Sequence, residues 1–262
     1  MKFDCLQENL SKALLTVSRF TPSRPQLPIL ANVLLSAKKG ELLLGATNLE
    51  SGINLHLGAK IDEEGEITLP AKTLTELIGS FPPGRIEFLL EENNLKISCQ
   101  KNQAVLSGIS ASEFPPLPKA GKEEVLKFSS EEIAGPVSQT SYCAATDESR
   151  PVLGAVKILE KDGFLSFVAT DGYRLSLKTT KIKAPKNLTK GVLLPARILT
   201  EVVKILAESE KKEVGLEISA QNNQAIFSLD SAEIFCRLIE GQYPDFQKII
   251  PASFSTKTTF SK

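Results

Sequence analysis

Apolar residues recur at helical spacing close to the start of the chain. Leu6, Leu10, Ala13, Leu14 and Val17 share one face, and Lys12, Thr16 and Arg19 share the other, which predicts a first amphipathic helix. The pattern then changes to alternation and short apolar runs. Pro28 to Ala37, Glu41 to Ala46, Ile53 to Ala59 and Gly65 to Leu69 read as strands, with turn residues at Lys39-Gly40 and Glu63-Glu64-Gly65. Helical spacing returns over Ala71 to Gly79 and stops at Ser80-Phe81-Pro82-Pro83-Gly84. Three more strands follow, Arg85 to Leu90, Leu95 to Cys99 and Ala104 to Ser107, with Glu91-Glu92-Asn93-Asn94 as a hairpin turn. This order predicts an α+β unit in which two helices share one face of antiparallel sheets.

The same pattern occurs twice. Leu69-Pro-Ala-Lys-Thr-Leu-Thr-Glu-Leu-Ile78 and Leu194-Pro-Ala-Arg-Ile-Leu-Thr-Glu-Val-Val203 are identical at six of ten positions, at an offset of 194 − 69 = 125. Pro28-Ile-Leu-Ala31 matches Pro151-Val-Leu-Gly154, and Ala46-Thr-Asn48 matches Ala169-Thr-Asp171, both at 123. Asn102-Gln-Ala104 matches Asn223-Gln-Ala225 at 121, and Glu113-Phe-Pro115 matches Gln242-Tyr-Pro244 at 129. Collinear matches with so little drift describe one duplicated unit with loop insertions. Phe3 and Phe128 each precede a predicted helix, and Phe260-Ser261-Lys262 resembles the start of a third copy. The expected organisation is a domain over 1–120, a second over 121–251, and the first strand of a truncated third over 252–262. The boundaries fall in Pro115 to Glu124 and around Pro251.

Composition narrows the function classes. The chain has 262 residues, 42% of them hydrophobic, and 31 basic against 31 acidic residues, a net charge of 31 − 31 = 0. This is neither a disordered nor a collagenous composition. The apolar stretch from Val192 to Leu206 is interrupted by Arg197, Glu201 and Lys204, so no membrane span is expected. Asp4 and Glu8 sit where a secretory signal would be apolar, and a cytoplasmic location is expected. Cys5, Cys99, Cys143 and Cys236 form no C-x-x-C pair and read as buried free thiols rather than as a metal site. His56 is the sole histidine and alternates with Leu55 and Leu57, as a strand residue would. Gly-rich phosphate loops are absent from the sequence, and no cofactor is expected. The acidic runs Asp62-Glu63-Glu64 and Glu91-Glu92 read as solvated turns, which leaves Asp147-Glu148 as the acidic pair near the repeat junction. A neutral chain is unusual for a protein held on nucleic acid by phosphate neutralisation alone.

Several segments, in order along the chain, resemble the bacterial sliding clamps, the beta subunits of DNA polymerase III. They are Met1-Lys-Phe3, Leu27-Pro-Ile-Leu30, Ala46-Thr-Asn-Leu-Glu50, Arg150-Pro-Val-Leu153, Ala169-Thr-Asp-Gly-Tyr-Arg-Leu175 and Glu240-Gly-Gln-Tyr-Pro-Asp-Phe246. The resemblance implies a non-catalytic processivity factor, with polymerase activity in a partner subunit. In that family two three-domain subunits close head to tail into a homodimeric ring around duplex DNA, helices lining the hole and sheets outside. A homodimer is not expected for a chain with a truncated third domain. A ring held by topology also accounts for the neutral charge, since strong phosphate contacts would resist sliding.

The resemblance further implies DNA-facing roles, independent of base sequence, for Lys12 and Arg19 on the first helix and for Arg24 in the loop after it. Lys72 in the first turn of the second helix, and Arg197 with Lys204 on its counterpart in repeat two, complete the set. The second-repeat loop Thr146-Asp-Glu-Ser149 is acidic where the family carries a polar amide, and residues 129–149 contain no Lys or Arg. The family also holds the replicative polymerase, the clamp loader and repair polymerases through short peptides, in a groove between the second and third domains. Its second-domain wall maps to Leu153, Thr170, Gly172, Tyr173, Arg174, Leu175, Pro244, Lys248 and Ile249, with Lys248 standing where arginine is familiar. Two alternatives compete with this reading. One is a hydrolase or transferase using Asp171, Arg174 and Asp147 at the repeat junction; the other is a monomeric tandem scaffold that binds proteins only.

Overall fold

The computed structural model describes residues 1–262 apart from 39, 122–124, 148, 185–187, 189, 220–221, 252 and 261–262. Lys39 of the first expected turn, Glu124 at the repeat boundary, Glu148 of the acidic pair and Ser261-Lys262 therefore lie outside the described residues. Two units are distinguished, residues 1–134 with 198–238 and residues 135–197 with 239–262.

The first repeat runs β1 (Lys2–Leu6), α1 (Gln7–Val17), β2 (Asn32–Lys38), β3 (Glu41–Thr47), β4 (Ser51–Gly58), β5 (Lys60–Glu63), β6 (Gly65–Pro70), α2 (Ala71–Ser80), β7 (Arg85–Glu91), β8 (Asn94–Cys99) and β9 (Asn102–Ser107). The second runs β10 (Val125–Ser129), α3 (Ser130–Thr140), β11 (Ala155–Lys161), β12 (Phe164–Thr170), β13 (Leu175–Lys183), β14 (Val192–Pro195), α4 (Ala196–Glu208), β15 (Glu213–Ser219), β16 (Gln224–Ser228), β17 (Ala232–Arg237) and the short α5 (Phe246–Ile249). This is the α+β order expected from the sequence.

Several details correct the sequence-based reading. Pro28 to Ala31 is a 3₁₀ helix rather than the start of a strand, because proline in the first turn sets a helical φ and has no N–H to give to a ladder. β5 was not anticipated, since Lys60–Glu63 is charged and lacks apolar alternation; it pairs with β1 at a sheet edge, where solvated side chains are ordinary. Leu6 closes β1 rather than opening the apolar face of α1, and Arg19 lies past α1 in the 3₁₀ turn Ser18–Phe20. Residues 253–260 form no strand, an element that exists only when paired with a neighbour.

All sheets are antiparallel. The first unit holds a five-stranded sheet ordered β5-β1-β7-β8-β9 and an eight-stranded sheet ordered β10-β15-β16-β17-β4-β3-β2-β6. The second unit holds a four-stranded sheet ordered β13-β12-β11-β14. Within the first unit Leu10, Ala13, Leu14 and Val17 of α1 are buried, as are Leu74 and Ile78 of α2, and the Gln7 side-chain amide donates to the Ile78 carbonyl at 2.6 Å. Phe3 and Phe88 stack with ring centroids 4.5 Å apart. The eight-stranded sheet joins the repeats through β17 and β4, with Ile234 opposite Ile53.

Pairing register reproduces the repeat. Asn32 faces Pro70 and Ala155 faces Pro195, at offsets of 155 − 32 = 123 and 195 − 70 = 125. Thr47 faces Gly52 and Thr170 faces Leu175, at 170 − 47 = 123 and 175 − 52 = 123. Since a one-residue slip would turn every side chain to the other face, this agreement means the two copies present corresponding residues on corresponding faces. All four cysteines are buried and free, and His56 lies on β4 beside Glu41, its Nδ1 3.3 Å from a carboxylate oxygen. Among the described residues no helix is long and apolar enough to cross a membrane.

Candidate functional site

The turn between β12 and β13 is built by its own side chains. The Asp171 Oδ1 accepts the Tyr173 N–H at 2.9 Å and the Arg174 N–H at 2.8 Å, and the Thr170 Oγ1 accepts the Gly172 N–H at 3.1 Å. Such local side-chain acceptors replace a ladder with a defined turn. Gly172 sits at φ +93°, where a side chain is strained. The first repeat makes the same turn: Asn48 Oδ1 accepts from Glu50 and Ser51, Thr47 Oγ1 accepts from Leu49, and Leu49 lies at φ +74°.

Beneath the second-repeat turn lies an apolar cluster of Ala155, Leu159, Val168, Leu193, Tyr243 and Phe246, against which Val152, Leu175, Leu177 and Ile239 pack. The Tyr243 phenol is buried. Its oxygen accepts the Thr170 N–H at 3.1 Å and its hydroxyl donates to the Val168 carbonyl at 3.4 Å. Burial pushes this phenol up to about 12, so it stays neutral and can serve both bonds.

Three separate chain segments thus meet around Leu175, and the expected groove residues distribute among them. Leu153 is half-buried in the 3₁₀ helix Pro151–Gly154, beside Val152 of the cluster. Pro244 follows Tyr243 and is half-buried, while Thr170 is fully buried. Tyr173 projects with 93% of its surface exposed. Lys248 and Ile249 are exposed on α5, and Lys248 pairs with Asp245 at 3.0 Å, holding that carboxyl below its usual range. Arg174 pairs with Asp171 at 2.9 Å. The backbone N–H groups of Arg174 and then Tyr173 bring the Asp171 carboxyl down to about 2.

The groove wall expected from the sequence does not include Tyr243, Val152, Ile239 or Phe246, although Val152, Tyr243 and Phe246 lie within the motifs that carry the resemblance. A signal for Tyr243 existed: Phe114, its match in the first repeat, forms the corresponding cluster with Ile29 and Leu30. What differs is the surface. The first-repeat counterpart of Leu175 is Gly52, and a Cβ there would lie 2.3 Å from the Phe235 ring, so β17 occupies the place where Leu175 stands in the second repeat.

Of the expected DNA-facing cations, Lys12 is exposed on α1 and Arg24 in the loop that follows. Lys72 and Arg197 are each the second residue of their helix, α2 and α4, and both are exposed. Arg19 and Lys204 converge on one carboxylate, Glu201, at 3.3 Å and 2.8 Å. The competing catalytic reading finds no support in these residues. Asp171 is committed to turn hydrogen bonds and to Arg174, and Asp147 Oδ1 and Oδ2 both accept from Ser149, whose hydroxyl is the main cause of that carboxyl's lowered pKa. Both acids are ionised acceptors rather than proton donors. Among the described residues no three His, Cys, Asp or Glu side chains are placed to hold a metal.

The family profile for the N-terminal domain of the DNA polymerase III beta subunit matches residues 1–118, and that for the central domain matches residues 127–245. A beta sliding clamp from Synechococcus elongatus is 34% identical over 260 residues, a match that covers 97% of this chain and 69% of that relative. The crystal structure of the Bacillus subtilis DNA polymerase sliding clamp superposes with a TM-score of 0.89 at 25% identity, covering 97% of this chain and 68% of that one. The Bartonella birtlesii clamp, solved bound to griselimycin, gives 0.89 at 27% identity, with 96% and 68% covered. With two family domains matched in order on a shared fold, the chain belongs to the bacterial beta sliding clamps, the non-catalytic processivity factors of DNA polymerase III, whose polymerase activity lies in another subunit.

Proposed function

We propose that residues 1–120 and 121–251 act as two clamp domains that track duplex DNA independently of base sequence, through Lys12, Arg19, Arg24, Lys72, Arg197 and Lys204. The same chain tethers replicative and repair polymerases and the clamp loader, in the cytoplasm, through short peptides with apolar anchors. Those anchors seat on the second-repeat surface formed by Leu153, Thr170, the Gly172 to Leu175 turn, Pro244, Lys248 and Ile249. The observation that carries this reading is the contrast between the repeats. Both build the same turn over the same cluster, but only the second places a partly exposed Leu175 where the first is filled by Phe235. Apolar walls with a few polar groups suit an extended anchor peptide. Griselimycin, to which the Bartonella birtlesii clamp is bound, is a second ligand to compete against the anchor peptide on this chain.

The test is a titration of a labelled anchor peptide, followed by fluorescence anisotropy, against the wild-type chain and Leu175→Asp. A carboxylate in an apolar contact should weaken binding by a factor of about 30 or more, and duplex DNA binding should not change. Equal peptide affinity for both chains would place the groove elsewhere.

A further inference from the structure

Glu201 lies on α4 of repeat two, yet it reaches a residue of repeat one: its Oε2 is 3.3 Å from Arg19 Nη1, and its Oε1 is 2.8 Å from Lys204 Nζ. The carboxylate is only 13% exposed, whereas Arg19 and Lys204 are 37% and 54% exposed. Burial by itself would raise its pKa, but the bonds and charges of Lys204 and Arg19 outweigh this and hold it below the usual range. It is therefore a fixed negative charge held between two cations, both of which can still reach solvent.

We propose that Glu201 is a built-in competitor for DNA phosphate, which neutralises half of the Arg19 and Lys204 charge and so keeps the clamp's grip on DNA weak enough to slide. The inference rests on the DNA-facing assignment of these two cations. Each phosphate contact made by a cation releases condensed counterions and steepens the salt dependence of binding. A cation already paired with a sheltered carboxylate must exchange that partner for the phosphate, and the net release falls. Sliding needs contacts that are easily traded, and an internal carboxylate supplies the alternative partner at each step. A packing role alone would instead leave the effect of losing the Glu201 carboxylate in place after both cations are removed.

The test measures binding to a duplex of about 20 base pairs over a range of salt concentrations. Glu201→Gln keeps the shape and removes the charge. It should bind about three- to tenfold more tightly at low salt, with a log–log slope steeper by about 0.9 to 1.8. Adding Arg19→Gln and Lys204→Gln to it should abolish the gain. Asp230→Asn, which adds the same net charge by removing the partner of Lys211, should give no comparable tightening. If Glu201→Gln proves poorly folded by thermal melting, Arg19→Gln alone in the otherwise wild-type chain should weaken binding less than Lys72→Gln. Unchanged or weaker binding by Glu201→Gln, or equal tightening by Asp230→Asn, overturns the inference while leaving the DNA-facing reading intact. Should Lys12→Gln/Lys72→Gln leave affinity and slope untouched, the DNA-facing reading itself fails and the inference falls with it.

Discussion

The Thr170 N–H meets the Tyr243 phenol oxygen at 3.1 Å across 73 residues of sequence, and the bond is buried. It fixes the last residue of β12, from which the turn to Leu175 departs. Tyr243→Phe would keep the ring and leave the Thr170 amide without its acceptor, a loss of about 1–3 kcal/mol. Urea unfolding of the two chains measures it. Anchor-peptide binding should weaken in parallel, and an unchanged unfolding midpoint would show that the amide had found another acceptor.

Gly172 and Leu49 occupy the same place in the two repeats, at 172 − 49 = 123, and both have positive φ. Beyond its own residue and its two chain neighbours, no described atom lies within 4 Å of a Cβ built on Gly172, so Gly172→Ala isolates the backbone cost and should destabilise by about 1–2 kcal/mol. Leu49→Gly relieves the same strain but loosens the unfolded chain, and its net effect should stay within about 0.5 kcal/mol of zero. Thermal melting distinguishes the pair. Equal and large losses at both sites would contradict the argument.

Asp171 supplies a pH signature. Its folded carboxyl is held at about 2 against an ordinary 3.8, so the folded state binds this proton less readily than the unfolded chain does. The resulting stability is present in full above the unfolded value and is lost as pH falls from about 4 towards 2. Asp171→Asn keeps a side-chain oxygen for the turn amides but has no proton to gain. The difference in melting temperature between wild type and Asp171→Asn should therefore shrink across that window; a constant difference would remove the carboxylate's role.

Lys12→Gln and Lys72→Gln should each lower the salt slope of duplex binding by about 0.9. Because phosphate contacts carry no base information, the loss should be the same on duplexes of unrelated sequence. Anisotropy titrations on two such duplexes provide the comparison. A loss confined to one sequence would argue for base readout and against a sliding contact.

Much of this molecule was legible before any coordinates. The α+β order follows from hydrophobic periods of 3.6 and 2, and duplication follows from collinear matches, because both are local properties of the chain. Pro28–Ala31 and β5 were misread because a proline-led 3₁₀ turn and a charged edge strand carry no apolar period. The motif around Asp171 located the turn, yet periodicity cannot reveal that Tyr243 supports it from 73 residues away. Nor could helical spacing show that Arg19 and Lys204 share Glu201, since the first of these pairs links residues 182 positions apart. Buried hydrogen bonds and ion pairs depend on which segments the packed sheets bring within about 3 Å of each other, and that distance is set by tertiary structure rather than by the order of residues.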